Sequence, residues 1–315
     1  MNINQIEAFL VLAECLSVTE TAKRMHCTQP AVTMRIRMLE QEFGTVLFDR
    51  IAKRMHLTQQ GAAFRDYALQ VVNALGAARE HLRQMGDPLS GTIHFGASNF
   101  IGVYLVPAII AQHKQRAPKL AFELDIASSS ELIRRLEANS VEFLIVSDQI
   151  ELDPQRFLFR ELCRDEQVLI TAPGHPLAGR GAVAPEALAK ETFLIKPEPS
   201  ATRQFLLERM RRSGIRLGTE MHISSLEAIK QGVMHGLGVS IVSRMAVAQE
   251  IASGLLAEVP IAGAAFERGI RIVHHRGKLL SPATARFLDL LVSEPLPGRV
   301  ATTFRTETRT RSRLS

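Results

Sequence analysis

Two groups of side chains in this 315-residue sequence can do recognition chemistry. The first lies in TQPAVTMRIRMLE, residues 28–40, where Thr28, Gln29, Thr33, Arg35 and Arg37 fall at the start and along one side of a predicted helix. Glutamine can bond an adenine edge bidentately, a threonine methyl can meet thymine, and Arg35 or Arg37 can take guanine O6 and N7 or a phosphate. The second group is a series of polar residues at predicted strand-to-helix junctions: Ser98 and Asn99, Ser128 to Ser130, Ser147, and Thr202 with Arg203. Hydroxyls beside the N–H groups of helix N-termini make a site for a carboxylate, phosphate or sulfate-like group. Lys196 stands beside the last of these, and Lys196 and His222 can add positive charge.

The first group needs a scaffold that presents one helix outward. Residues 3–16 put Ile6, Phe9, Leu10, Ala13 and Leu16 on one stripe, which predicts a first helix. SVTETAKRMHC predicts a short second helix whose opening carries Val18 and Thr19, with Ala22 and Met25 facing inward. After a tight turn, Thr28 is placed to cap a third helix, with Pro30 in its first turn where the missing N–H costs nothing. On that helix Ala31, Val32, Ile36, Leu39 and Phe43 form the inward stripe; Gln29, Thr33, Met34, Arg35 and Arg37 are left outside, and Gly44 ends it. VLFDR and RMHLT are two short strands around IAK, and they put Arg50, Lys53 and Arg54 on a hairpin. Two short helices, a three-residue turn and a basic hairpin describe a winged helix-turn-helix, expected over residues 1–61.

The second group needs a different architecture. Phe64, Ala68, Val71, Leu75, Ala78, Leu82 and Met85 recur at alternating spacings of four and three, a seam that predicts a dimerising linker helix over 62–88. GDPLSG breaks it. Beyond lies an alternation: strand GTIHFGA, helix FIGVYLVPAIIAQHKQ, strand LAFELDIA, helix SSELIRRLEAN and strand EFLIVS, then a second set from QVLITA through SPATARFLDLLVS. Strands alternating with helices predict open, mostly parallel α/β sheets in two lobes with a cleft between them, about 89–160 plus 267–295 for one and 161–266 for the other. Ligands of such sheets bind beyond the carboxyl ends of the strands, where the second polar group falls.

Charge and cysteine content bound the rest. The net charge is +6, but residues 1–60 hold seven Lys/Arg against six Asp/Glu, so affinity for nucleic acid cannot be argued from overall basicity. Residues 296–315 hold five arginines against one glutamate, lack hydrophobic periodicity and are expected to be a disordered basic tail. Cys15, Cys27 and Cys163 have no CxxC spacing, which argues against a disulfide scaffold or zinc site. His274 and His275 are adjacent on a predicted strand and point to opposite faces, so they cannot share an ion. No metal and no cofactor are expected. No run approaches the roughly 18 apolar residues of a membrane span, and no export signal opens the chain, so a cytoplasmic protein without membrane association is expected.

Residues 1–61 resemble the DNA-binding domain of LysR-type transcriptional regulators. The likeness is carried by IEAFLVLAE, SVTETAKRMHCTQPAVTMRIRMLEQEFGTVLFDR and HLTQQG, with GTIHFGAS, PGHPLA and IKQGVMHGLGVSIVS extending it to about residue 295. The family's usual Ser-Phe-Thr at the start of helix two is Ser17-Val18-Thr19 here, Met34 replaces a residue that is often basic, and Arg35 stands where an amide is frequent. The resemblance implies a winged helix-turn-helix, a linker-helix dimer, often a tetramer, and a periplasmic-binding-protein-like effector domain at 89–295. The expected function is a sequence-specific regulator. A small anionic metabolite between the lobes controls the geometry of the oligomer on a pseudo-palindromic operator, and through it contact with RNA polymerase. An exported solute-binding protein would share the two-lobed architecture but lack the helix-turn-helix. An enzyme would need a nucleophile elbow, a P-loop or a dinucleotide fingerprint; none is present.

Overall fold

The computed structural model describes residues 1–51, 54–87 and 89–293. The chain opens with α1 (Ile3–Cys15), α2 (Val18–Arg24) and α3 (Gln29–Phe43). The first two starts have a chemical reason in their caps. Asn2 and Gln5 cap each other reciprocally at α1, and the Ser17 hydroxyl accepts from the Glu20 N–H at α2. Gly44 ends α3 in the left-handed region that favours glycine, at φ 62°. A hairpin of β1 (Phe48–Ile51) and β2 (Arg54–Leu57) comes next. The three helices close around Phe9, Leu12, Val32, Ile36, Leu39 and Leu47.

The long helix α4 (Gln59–Gln84) is 26 residues, about 39 Å at 1.5 Å per residue. It begins three residues earlier and ends four residues earlier than its seam suggested. Thr58 caps it, its hydroxyl accepting from the Gly61 N–H at 2.9 Å. The first two seam positions belong to the N-terminal core: Ala68 is buried there, and the Phe64 ring meets Phe9 at 4.8 Å and Phe43 at 4.9 Å. Phe43, expected inside, is half-exposed and is covered on one side by Phe64. Val71, Leu75, Ala78, Leu82 and Met85 stay open to solvent, with Tyr67 beside them. The exposed stripe therefore starts at Val71.

The C-terminal end of α4 is locked to the second part of the chain through buried Gln84. Its amide nitrogen donates to Glu80 at 2.7 Å and to the Thr92 carbonyl at 3.4 Å, and its oxygen accepts from the Ala283 N–H at 3.1 Å. Glu80 also accepts from the Thr92 N–H at 3.0 Å.

The second part comprises β3 (Gly91–Ser98), α5 (Asn99–Tyr104), α6 (Val106–Arg116), β4 (Leu120–Ala127), α7 (Ser129–Glu137), β5 (Phe143–Ser147) and β6 (Phe157–Thr171). It continues with β7 (Thr192–Ile195), α8 (Ala201–Arg212), β8 (Thr219–His222), α9 (Leu226–Met234), β9 (Ser240–Ser243), α10 (Arg244–Ala252), β10 (Ala257–Val259), β11 (Phe266–His275) and α11 (Pro282–Ser293). The stretch 100–115, expected as one helix, breaks at Leu105, because Pro107 has no N–H for the Val103 carbonyl.

The sheets are mixed, not mostly parallel. β3 pairs in parallel with β4 and β5, whereas β5 with β11, β11 with β6, and β6 with β9 and β10 are antiparallel. QVLITA is only the end of the fifteen-residue β6. β6 and β11 run through both lobes: Cys163, Ile270 and Ile272 join the first lobe's core with Phe95, Phe143 and Phe287, while Leu169 and Phe266 join the second's with Phe193, Phe205 and Leu206. The lobes thus share two central strands, which carry an irregularity between Ile270 and Arg271.

Candidate functional site

The outward face of α3 is open. Gln29, Pro30, Met34 and Arg37 are exposed, and Met34, at 64%, is the most exposed large apolar side chain on the helix. Thr33 and Arg35 are half-buried. The Thr33 hydroxyl donates to the Gln29 carbonyl at 3.1 Å, and Arg35 reaches back towards the turn, its Nη1 4.0 Å from Cys27 Sγ. Thr28 occupies the capping position in extended backbone, but its hydroxyl makes no capping bond, so the first N–H groups of α3 keep no side-chain partner. Val18 packs partly against the core at the start of α2, and Thr19 beside it is exposed. Arg50 and Arg54 are exposed on the hairpin strands. Lys53 lies outside the described residues.

Between the two lobes lies a cavity of about 490 Å³. Ser98 at the end of β3 with Asn99 after it, Ser128, Ser129 and Ser130 after β4, Ser147 at the end of β5, and Lys196, Thr202 and Arg203 after β7 all line it. His222 does not: it is exposed on β8, with Nε2 2.9 Å from Glu220. The N-terminal ends of α7 and α8, one from each lobe, open on the cavity. The Ser98 hydroxyl is buried there without a hydrogen-bond partner among the described residues.

The residue that sequence reasoning missed is Arg268. It is buried on β11, lines the cavity and donates through Nε to Asp165 at 2.9 Å and through Nη1 to Thr202 at 3.3 Å. Its guanidinium lies 4.1 Å from the ring centre of Phe100 on the first lobe, while Thr202 belongs to the second. Asp165 also accepts from Ser243 at 2.6 Å and from Gln167 at 2.5 Å. Burial holds the Asp165 carboxyl above the ordinary aspartate range, partly offset by Arg268 and Ser243. Arg203 is held by Glu220 at 2.7 Å and by the Lys196 carbonyl at 3.3 Å. The Lys196 ammonium has no partner among the described residues; burial, and then repulsion from Arg268, push it below the usual lysine range.

A second contact spans the lobes. The Tyr104 hydroxyl on α5 donates to Glu227 on α9 and accepts from Lys230 at 3.3 Å. Lys230 is buried and also meets Glu227 at 3.1 Å and Glu250 on α10 at 2.6 Å. The relative placement of the lobes is thus held on both the hinge side, through Arg268, and the α9 side.

A helix-turn-helix with an open third helix, joined by a long helix to two lobes around a cavity, defines a transcriptional regulator with a DNA-binding and an effector-binding domain. The family model described as bacterial regulatory helix-turn-helix protein, lysR family, matches residues 3–62, and that of the LysR substrate binding domain matches residues 86–295. The chain belongs to the LysR family. Among curated relatives, the RuBisCO operon transcriptional regulator of Allochromatium vinosum is 31% identical over 297 residues, covering 93% of this chain and 96% of the relative. Among solved structures, full-length CbnR complexed with its target DNA matches with a TM-score of 0.71 at 20% identity, covering 92% of this chain and 99% of that one. The regulatory domain of CcmR from Synechocystis PCC6803 in complex with 2-PG matches with a TM-score of 0.58 at 24% identity, covering 64% of this chain and 96% of that one. No helix among the described residues is long and apolar enough to cross a membrane.

Proposed function

We propose that a homo-oligomer of this chain holds two α3 helices on the half-sites of a pseudo-palindromic operator, and that a small anion between the lobes alters their relative placement. Gln29, Thr33, Met34 and Arg37 meet base edges or phosphates in the major groove, Thr28 turns the open helix end towards a phosphate, and Arg50 and Arg54 follow the backbone. The exposed stripe on α4 supports pairing of two protomers. The change of placement acts on DNA bending and so on contact with RNA polymerase.

The observation that carries the ligand reading is the Lys196 ammonium, without a partner among the described residues in a cavity rimmed by both lobes, and repelled by Arg268. Two helix N-termini and the unpartnered Ser98 hydroxyl favour the same sign of ligand. The structural neighbours that hold DNA and 2-PG support the two kinds of partner. A ligand that meets both lobes favours one arrangement over another only by its difference in affinity for them.

In a thermal-shift screen of the full chain, an anion at 100 times its Kd should stabilise by about 2.7 kcal/mol. Lys196→Met is expected to abolish that shift, and stabilisation that survives the substitution would sink the assignment. Affinity needs the charged lysine, so it is expected to fall as pH rises through the Lys196 pKa. Because that pKa is lowered in the free protein, the fall begins below the ordinary lysine range.

On DNA, the bound anion is expected to change the length of the footprint or the bend angle more than the affinity. Identical footprints and bends, with and without a ligand shown to be bound, would contradict control through geometry.

A further inference from the structure

The charges around the cavity allow a sharper statement about its ligand, one that rests on reading the cavity as an anion site. Three cationic side chains line it, and two already have carboxylate partners: Arg268 on Asp165 and Arg203 on Glu220. Lys196 is the one cation among the described lining residues without a partner. A second full negative charge on the ligand would meet only the open Nε of Arg203, whose charge Glu220 already balances, and a buried uncompensated charge is costly.

The walls add a second constraint. On the second lobe the cavity reaches Phe193, Leu206, Met210 and Ile241, which are members of that lobe's apolar core between β7, β9 and α8. On the first lobe Phe100 closes the space beside Arg268. A polyhydroxylated skeleton lying on this side would bring hydroxyls against side chains that can bond none of them, whereas the hydroxyls of Ser98, Ser128 and Ser130 gather on the opposite side. Hydrocarbon placed there leaves water at about 25 cal/mol per Å² of apolar surface.

We infer that the effector is a monocarboxylate with an apolar carbon skeleton. Its carboxylate sits at Lys196, within the rim of hydroxyls and helix N-termini, and its skeleton lies towards Leu206 and Met210.

A homologous series separates this from the broader anion reading. The full chain is titrated by calorimetry with acetate, propionate, butyrate and valerate, and in parallel with inorganic phosphate and malonate. Affinity is expected to rise about fourfold per added methylene until the cavity is full. Lys196→Met should remove binding across the series, and Met210→Gln should flatten the chain-length dependence while leaving acetate bound. The wild-type series decides the matter even if Met210→Gln fails to fold. A flat wild-type series, or Lys196-dependent binding of phosphate or malonate tighter than that of butyrate, overturns the apolar skeleton and leaves the anion site standing. No Lys196-dependent binding of any of the six overturns both.

Discussion

Arg268→Met is expected to destabilise the protein by about 3–5 kcal/mol, the cost of removing one partner of a buried ion pair. Arg268 and Asp165 are 3% and 1% exposed, so neither can fall back on water. With the guanidinium gone, Asp165 keeps only Ser243 and Gln167 among the described residues, and Phe100 loses the cation it faces. The double variant Arg268→Met/Asp165→Asn should recover more than half of the loss, because an amide in place of the carboxylate still accepts from Ser243 and no buried charge remains. The variant's pH dependence has a definite sign. Burial already raises Asp165, and loss of Arg268 raises it further, so the native state holds that proton more tightly than the unfolded chain. The variant should therefore lie nearest wild type below the unfolded aspartate pKa and lose ground as pH rises towards the folded value. Denaturant unfolding across pH measures all of this; a cost under about 1 kcal/mol at neutral pH would show that the pair is not buried in solution.

Leu82→Asp is expected to lower operator affinity by about 10²–10⁴, the gain that linking two binding events confers. Leu82 is 69% exposed in the single chain, so aspartate there costs the protomer little while it breaks an apolar stripe running from Val71 to Met85. Leu75→Asp should act in the same way, and neither should unfold the effector domain. Two recognition helices must lie one helical turn of DNA apart, about 34–36 Å, or a multiple of it. A lone protomer can meet only one half-site. Sedimentation gives the mass and footprinting the occupied length. A variant shown to be monomeric that still protects the full operator would refute the pairing role of α4.

The DNA-reading domain was legible because each of its helices announces itself locally. Apolar spacing, a cap at Ser17 or Thr19, Pro30 in a first turn and Gly44 at an end are all short-range signals, while the reciprocal cap of Asn2 and Gln5 emerged only with the structure. The polar junctions of the cavity were legible for the same reason: strand ends leading into capping serines can be read without knowing what lies opposite. Arg268 was not, because its partner Asp165 lies 103 residues earlier and only the pairing of β6 with β11 brings them together. A faint signal existed. From Cys163 to Gln167 the chain alternates with period two, burying Cys163, Asp165 and Gln167 and exposing Arg164 and Glu166, but polar residues on the inner face disguise the strand. Strand direction was equally hidden, since that period is the same in parallel and antiparallel sheets. The seam on α4 was visible as a seam, yet Phe64 and Ala68 fit two partners equally well, and only the folded domain shows that they turn inward.

The bond between Gln84 and Ala283 has a consequence for how the molecule is made. The two residues are 199 positions apart, and a ribosome adding about 5–20 residues per second needs about 10–40 s to cover that distance. During this interval the first domain can fold and display α3, while α4 still lacks the anchor on its far end and the first lobe still lacks β11 and α11. Every newly made chain therefore passes through a stage in which it can touch DNA before it can answer to a ligand, and a chain cut short before α11 would stay in that stage.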